Sequence, residues 1–203
     1  MINQRLLHRL ASVTYPLMAL LLMILMTGCG KVDSTRQERR AITAGNALYK
    51  EGRYAEAIQK YKTALAENAQ SDVAHFNLGL SQIRMSEKSG KQQKDSLEQA
   101  LYNQGVELLT QVAQIGPRKA DLSSKANYNL GNLQFEKEDY ATSIKFYKQA
   151  LRLNPDFANA RRNLRIAQLR LQDQEQDKND DKQDQQDQQD QQQDKQDQQQ
   201  DQQ

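Results

Sequence analysis

The chain has 203 residues with 28 basic and 26 acidic side chains, but its net charge of +2 is the sum of three unlike parts. Residues 173–203 hold 16 Gln, 10 Asp, one Glu, one Asn and three Lys; this stretch carries −8, has no apolar residue and lacks the means to form a core. Arg5 and Arg9 place +2 in the first 28 residues, so the body between carries +8 on a length suited to one domain, with Cys29 as its only cysteine and His75 as its only histidine.

Those counts exclude several classes of function. A disulfide, a Cys/His zinc site and a Cys–His nucleophile pair are all out of reach within one chain, so no cofactor, metal or catalytic group is expected. A polyanion tethered to a basic body competes with nucleic acid for any basic face, which argues for protein partners instead.

Taken in chain order, residues 1–28 open with Arg5, His8 and Arg9. An apolar run from Leu10 to Met26 follows, interrupted only by Ser12, Thr14 and Pro16, and reads as an export signal. Next come Met26, Thr27, Gly28 and Cys29, with two small residues ahead of the sole cysteine. That arrangement resembles the lipobox of bacterial lipoproteins. The resemblance implies cleavage before Cys29, a diacylglycerol on its sulfur and palmitate-type acyl chains, with 29–37 left as a tether. Two or more chains make a stable anchor where one holds weakly. The other reading keeps residues 1–28 as an uncleaved anchor helix. Both place the body outside the cytoplasm, on the periplasmic side of the cell envelope, and since Gly30 follows the cysteine, inner versus outer membrane stays open.

The body repeats. Gly45 and Gly79 stand 34 residues apart, and Gly79 and Gly131 stand 52 apart. Twelve, sixteen and nineteen residues beyond Gly45 lie Ala57, Tyr61 and Ala64; beyond Gly131 lie Ser143, Tyr147 and Ala150, with Pro155 further on. From Gly79 the series returns as Gly105, Leu109 and Val112 once 14 residues are skipped, and four more follow that unit. Small residues at helical spacing let two helices approach, and Tyr54 and Tyr61 are expected to fill the groove toward the next unit. This ladder resembles the tetratricopeptide repeat, most closely in AGNALYKEGRYAEAIQKYKTAL at 44–65 and NYNLGNLQFEKEDYATSIKFYKQALRLNP at 127–155.

The resemblance implies an all-α solenoid of about three helix pairs plus a C-terminal cap helix over 38–172, followed by a disordered Gln/Asp-rich tail over 173–203. Its units are 38–71, 72–119 with an insert near 86–100, and 124–157, with the cap at 158–172. Ala160, Leu164, Ala167 and Leu171 share the buried face of that cap, and Arg161, Arg162, Arg165 and Arg170 solvate the rest. In the polar string SEKSGKQQKD at 86–95, Gly90 marks a break, and Asp95 or Ser96 with Glu98 or Gln99 offers the next N-cap. His75 stands where the repeat often carries a buried aromatic and reads as a packed core histidine.

In such stacks the first helix of each unit lines a concave face. By spacing, that face comprises Arg39, Ile42, Asn46, Tyr49 and Lys50 in unit one; Val73, Phe76, Leu80, Ile83 and Arg84 in unit two; and Lys125, Tyr128, Asn132, Phe135 and Glu136 in unit three. It suits a peptide with apolar anchors and no small-molecule substrate. Some chaperone-binding members of the family hold a C-terminal carboxylate in a clamp of Lys, Asn and Arg. Asn46, Asn77 and Lys125 match that pattern, whereas Ile42 and Asn129 stand where a Lys and the Arg belong.

The signal, the repeats, the junction YNLGN…YKQALRLNPDFANARRNL and the Gln/Asp end together resemble the exported repeat protein of bacterial aerotolerance (Bat-type) operons. The resemblance implies a membrane-anchored, non-enzymatic scaffold whose partners are other envelope proteins, von Willebrand-type domain membrane proteins among them. The alternative is a chaperone-like assembly factor for envelope or outer-membrane clients.

Overall fold

The computed structural model describes residues 35–88 and 95–178. The signal and lipobox readings, the tether as far as residue 34, the interior of the insert at 89–94 and the tail beyond 178 lie outside the described residues, while the expected end of the tether at 36–37 is already helical. Among the described residues the regular structure is helical, with seven α-helices and one 3₁₀ turn. No helix among them is long and apolar enough to cross a membrane.

Local chemistry sets each helix end. Helix α1 (Arg36–Lys50) starts where the Thr35 Oγ1 accepts the Glu38 N–H at 3.0 Å. It stops at Gly52, whose φ of 71° reverses the chain into α2 (Tyr54–Glu67). Helix α3 (Asp72–Glu87) is capped by Ser71. Helix α4 (Ser96–Gln114) opens on the capping box expected at the end of the insert: Asp95 Oδ1 accepts the Glu98 N–H at 2.8 Å, and Glu98 Oε2 accepts the Asp95 N–H at 3.1 Å.

The 3₁₀ turn Gly116–Lys119 closes the middle unit, and the four residues left over after it, 120–123, form the first turn of the helix that follows. Gly116 has φ 63°, and Lys119 Nζ reaches back to Asp72 Oδ2 at 2.5 Å. Helix α5 (Ala120–Glu136) therefore begins one turn before 124, and α6 (Tyr140–Leu153) follows behind the Asp139 N-cap. Helix α7 spans 158–178 of the described residues and so runs on past Gln172, where the cap was expected to end. The residues there, Asp173 to Lys178, include Gln, Glu and Lys, which are good helix formers, and Arg170 stands 3.9 Å from Asp173 one turn away.

Helices α1 and α2, α3 and α4, and α5 and α6 pack as antiparallel pairs, and each glycine of the ladder sits where its pair crosses. A Cβ on Gly45 would lie 2.6 Å from Tyr61 Cε1, and one on Gly131 would lie 2.6 Å from Tyr147 Cε1. In the middle pair no ring intervenes: a Cβ on Gly79 would meet the Gly105 carbonyl at 2.9 Å, so two backbones touch. Three core clusters result, and the largest joins α3, α4 and α5 through Phe76, Ile83, Leu109, Val112 and Leu130.

Three expectations need adjustment here. Tyr61 is buried against its own unit's glycine as well as against Leu78 of the next unit. Tyr54 stays half-buried beside Tyr49, with Lys88 Nζ 5.9 Å from its ring centre. His75 is only partly buried, and the core position beside it in sequence is Ala74, which clusters with Ala41 and Ala64.

Candidate functional site

Two clefts open between successive first helices. One, of about 280 Å³, is walled by Asn46, Tyr49, Lys50, Tyr61, Asn77 and Leu80. The other, of about 240 Å³, is walled by Asn132, Phe135, Glu136, Tyr147, Asn163 and Ile166. Every wall residue of the first has its counterpart 86 positions further on in the second, as Asn46 has Asn132 and Leu80 has Ile166.

The hydrogen bonding repeats with the walls. The Tyr61 hydroxyl donates to Asn46 Oδ1 at 2.8 Å, and Asn77 Nδ2 donates to the same oxygen at 3.1 Å. In the second cleft Tyr147 and Asn163 donate to Asn132 Oδ1 at 2.9 and 3.0 Å. Each network ties three helices and fixes the rotamer of its central asparagine. A carboxamide is planar, so with Oδ1 engaged twice the Nδ2 donor of Asn46 and of Asn132 turns away from these partners. Ring pairs repeat as well, with Tyr49 on Tyr54 at 5.3 Å between centres and Phe135 on Tyr140 at 5.2 Å. Burial pushes the Tyr61 phenol up to about 12, and Tyr49 adds to the effect. Burial likewise raises Tyr147 to about 12, outweighing the opposing hydrogen bond from Asn163. Both hydroxyls therefore remain neutral donors at physiological pH.

Between the clefts lies a junction of different chemistry. Leu80, Ile83, Arg84, Leu109, Asn129 and Asn132 occupy the corresponding places, together with Leu133 and Glu136, and the free space shrinks to about 10 Å³. Leu80 has no acceptor to offer, so Asn129 turns its Nδ2 to the Lys125 carbonyl of its own helix at 2.7 Å.

The concave-face residues expected from spacing, together with Asn77 of the clamp pattern, divide accordingly. Asn46, Tyr49, Lys50, Asn77 and Leu80 gather at the first cleft, and Asn132, Phe135 and Glu136 at the second. Tyr128 lies beside the second, its ring 6.0 Å from that of Tyr147 and 4.8 Å from that of Phe157. Arg39, Val73 and Arg84 are exposed and Ile42 is half-buried against the Ala41 cluster. Phe76 and Ile83 do not present a surface: they are 9% and 2% exposed within the largest core cluster. The contact between Gly79 and Gly105 draws α4 so close that a Cβ on Gly105 would lie 2.7 Å from Ile83 Cγ1, which encloses both side chains.

The clamp pattern is not assembled as one site. Asn46 and Asn77 share the first cleft, but Lys125 lines neither and pairs with Asp121 on its own helix at 2.8 Å. Spacing alone missed Tyr61, Tyr147, Asn163 and Ile166 as cleft walls, although all four fall on the repeat ladder or its continuation. Among the described residues no three of His, Cys, Asp and Glu stand together as a metal-binding group.

The geometry is that of a tetratricopeptide-repeat solenoid, and comparison with known families agrees. Residues 45–86 match a model described as TPR repeat, and residues 124–157 match the tetratricopeptide repeat. Two solved structures are similar to the chain. One is the first TPR of Spaghetti (RPAP3) bound to the HSP90 peptide SRMEEVD: 22% identical, covering 69% of this chain and 96% of that one, with a TM-score of 0.48. The other is the first TPR domain of human RPAP3, solved by NMR: 21% identical, covering 68% and 95%, with a TM-score of 0.49.

Proposed function

We propose that the protein is a protein-interaction scaffold that holds a peptide segment of another protein along the face bearing the two clefts. The observation that carries this reading is the duplicated Asn–Tyr–Asn network with an open, partly apolar cleft at each copy. Fixed polar donors beside aromatic walls favour recognition of peptide backbone with side-chain anchors, and the site gathers no acid–base pair or nucleophile for catalysis. On the sequence reading the scaffold is tethered by a lipid on Cys29 in a bacterial envelope. Its proposed partners are envelope proteins, including the von Willebrand-type membrane proteins of an aerotolerance-type complex.

The test places a photo-crosslinking amino acid at Tyr49 and at Phe135 in the full chain expressed in envelope-bearing cells. One dominant adduct, lost when Asn46 or Asn132 is replaced by Ala, is the expected result. Many weak adducts would turn the reading toward a chaperone-like factor for envelope clients, and none at either position would overturn it. In the same cells Cys29→Ser is expected to abolish acyl labelling and signal removal. Unchanged labelling would remove the lipid anchor from the proposal.

A further inference from the structure

Helix α7 stands in the register of a first helix, and among the described residues no second helix pairs with it. Its register places Arg165 where Gly45, Gly79 and Gly131 stand, and a side chain there blocks the crossing that the three glycines permit. The helix is thus polar on the side that a second helix would cover, as a terminal repeat must be. A helix that served only to solvate the end of the stack would be polar on its other open side too. It is not: Ile166 and Leu169, the counterparts of Leu80 and of the buried Ile83, are 40% and 44% exposed. Ile166 forms a wall of the second cleft.

Residues 173–203 offer this pair no apolar side chain. Over residues 158–172 four arginines stand with no acid, and Glu136 is the one acid among the residues walling the second cleft. By register Arg162 and Arg170 flank Ile166 and Leu169 on the groove side; Arg162 has no ion pair among the described residues, and Arg170 has only the long contact to Asp173.

We propose that α7 is the anchoring wall of the groove, and that the second cleft together with Ile166 and Leu169 takes an apolar side chain of a partner peptide whose neighbouring residues are acidic. The inference rests on the groove being the interaction surface and adds to it the end that anchors and the charge of the ligand.

Three peptides blocked at both termini test it against the full chain in lipid nanodiscs, with empty nanodiscs as the control: EEDLEFEDEE, its all-basic analogue KKKLKFKKKK, and EEDAEAEDEE. Fluorescence anisotropy is expected to show binding of the first alone. The double variant Ile166→Ser and Leu169→Ser, both at exposed positions, is expected to weaken it by about tenfold or more. Arg162→Gln with Arg170→Gln should weaken it several-fold and flatten its salt dependence, and Gln59→Ala, exposed on α2 and lining neither cleft, should leave it unchanged. Equal binding of the alanine peptide, equal binding of the basic peptide, or no binding of any peptide up to millimolar concentration would each overturn the proposal. Loss of binding in Tyr49→Ala with none in the serine variant would overturn it while leaving the groove reading intact. Self-association of the wild-type chain that the serine variant dissolves would make a second copy the occupant, and would also overturn it.

Discussion

Gly52 and Glu138 close the same turn in the first and last units. Gly52 N–H donates to the Tyr49 carbonyl at 3.0 Å and Glu138 N–H to the Phe135 carbonyl at 2.9 Å, with φ of 71° and 61°. A left-handed backbone costs a side-chain-bearing residue roughly 1–2 kcal/mol, whereas glycine adopts it freely but gives up roughly 0.5–1 kcal/mol of chain entropy. Nothing lies within 4 Å of a Cβ at Gly52, so conformation alone decides there. Gly52→Ala is expected to lower stability by about 1 kcal/mol, and Glu138→Gly to raise it by about 0.5 kcal/mol, read from urea midpoints. A loss of stability in Glu138→Gly would contradict this account. The turn at Gly52 was legible from the glycine itself, but Glu138 carries no such mark. Only the hydrogen bonds around it reveal the backbone it adopts.

At the scale of helices, the Tyr–Asn–Asn networks link a pair to the helix that follows it. Their phenols titrate at about 12 when folded against an ordinary value of 10.0, because burial opposes the phenolate. A raised value means that their contribution to stability is fully present below about pH 10 and is lost as pH rises toward 12. Chemical denaturation at pH 9 and 11.5 should therefore show a clear fall in the wild type and a smaller fall in the Tyr61→Phe, Tyr147→Phe variant. Equal falls would mean that other groups dominate alkaline unfolding.

Helix ends were largely legible in the sequence, since Asp95 and Glu98 form their capping box from local contacts alone. Side-chain presentation was less so. Phe76 and Ile83 share the concave spacing with Leu80, yet they are buried through the close approach of a helix that lies beyond the insert. Linear periodicity says which residues share a helical stripe, not how near the next helix comes.

For the solenoid over residues 35–178, the junctions differ in kind. The first and last are hydrogen-bonded and leave open clefts; the middle one is apolar and nearly filled, with Leu109 where the outer units have tyrosine. Stability in a stack is a sum of units and nearest-neighbour contacts, so the central junction couples the two halves. Leu109→Ala is expected to cost about 2–5 kcal/mol and to split guanidinium unfolding, followed by tyrosine fluorescence, into two transitions. A single transition at a lower midpoint would mean that coupling runs elsewhere.

The sequence by itself determined the repeat, the helices and their caps, because glycine spacing, helical periodicity and capping pairs act within a few residues of one another. It also placed Ala160, Leu164, Ala167 and Leu171 on one face of a terminal helix. Only the tertiary structure decided which asparagines meet, that two clefts match across 86 positions, and that the middle one is closed. Those outcomes depend on how closely helices distant in sequence approach, and that distance is set by one contact, ring against glycine or backbone against backbone, which no single helix contains.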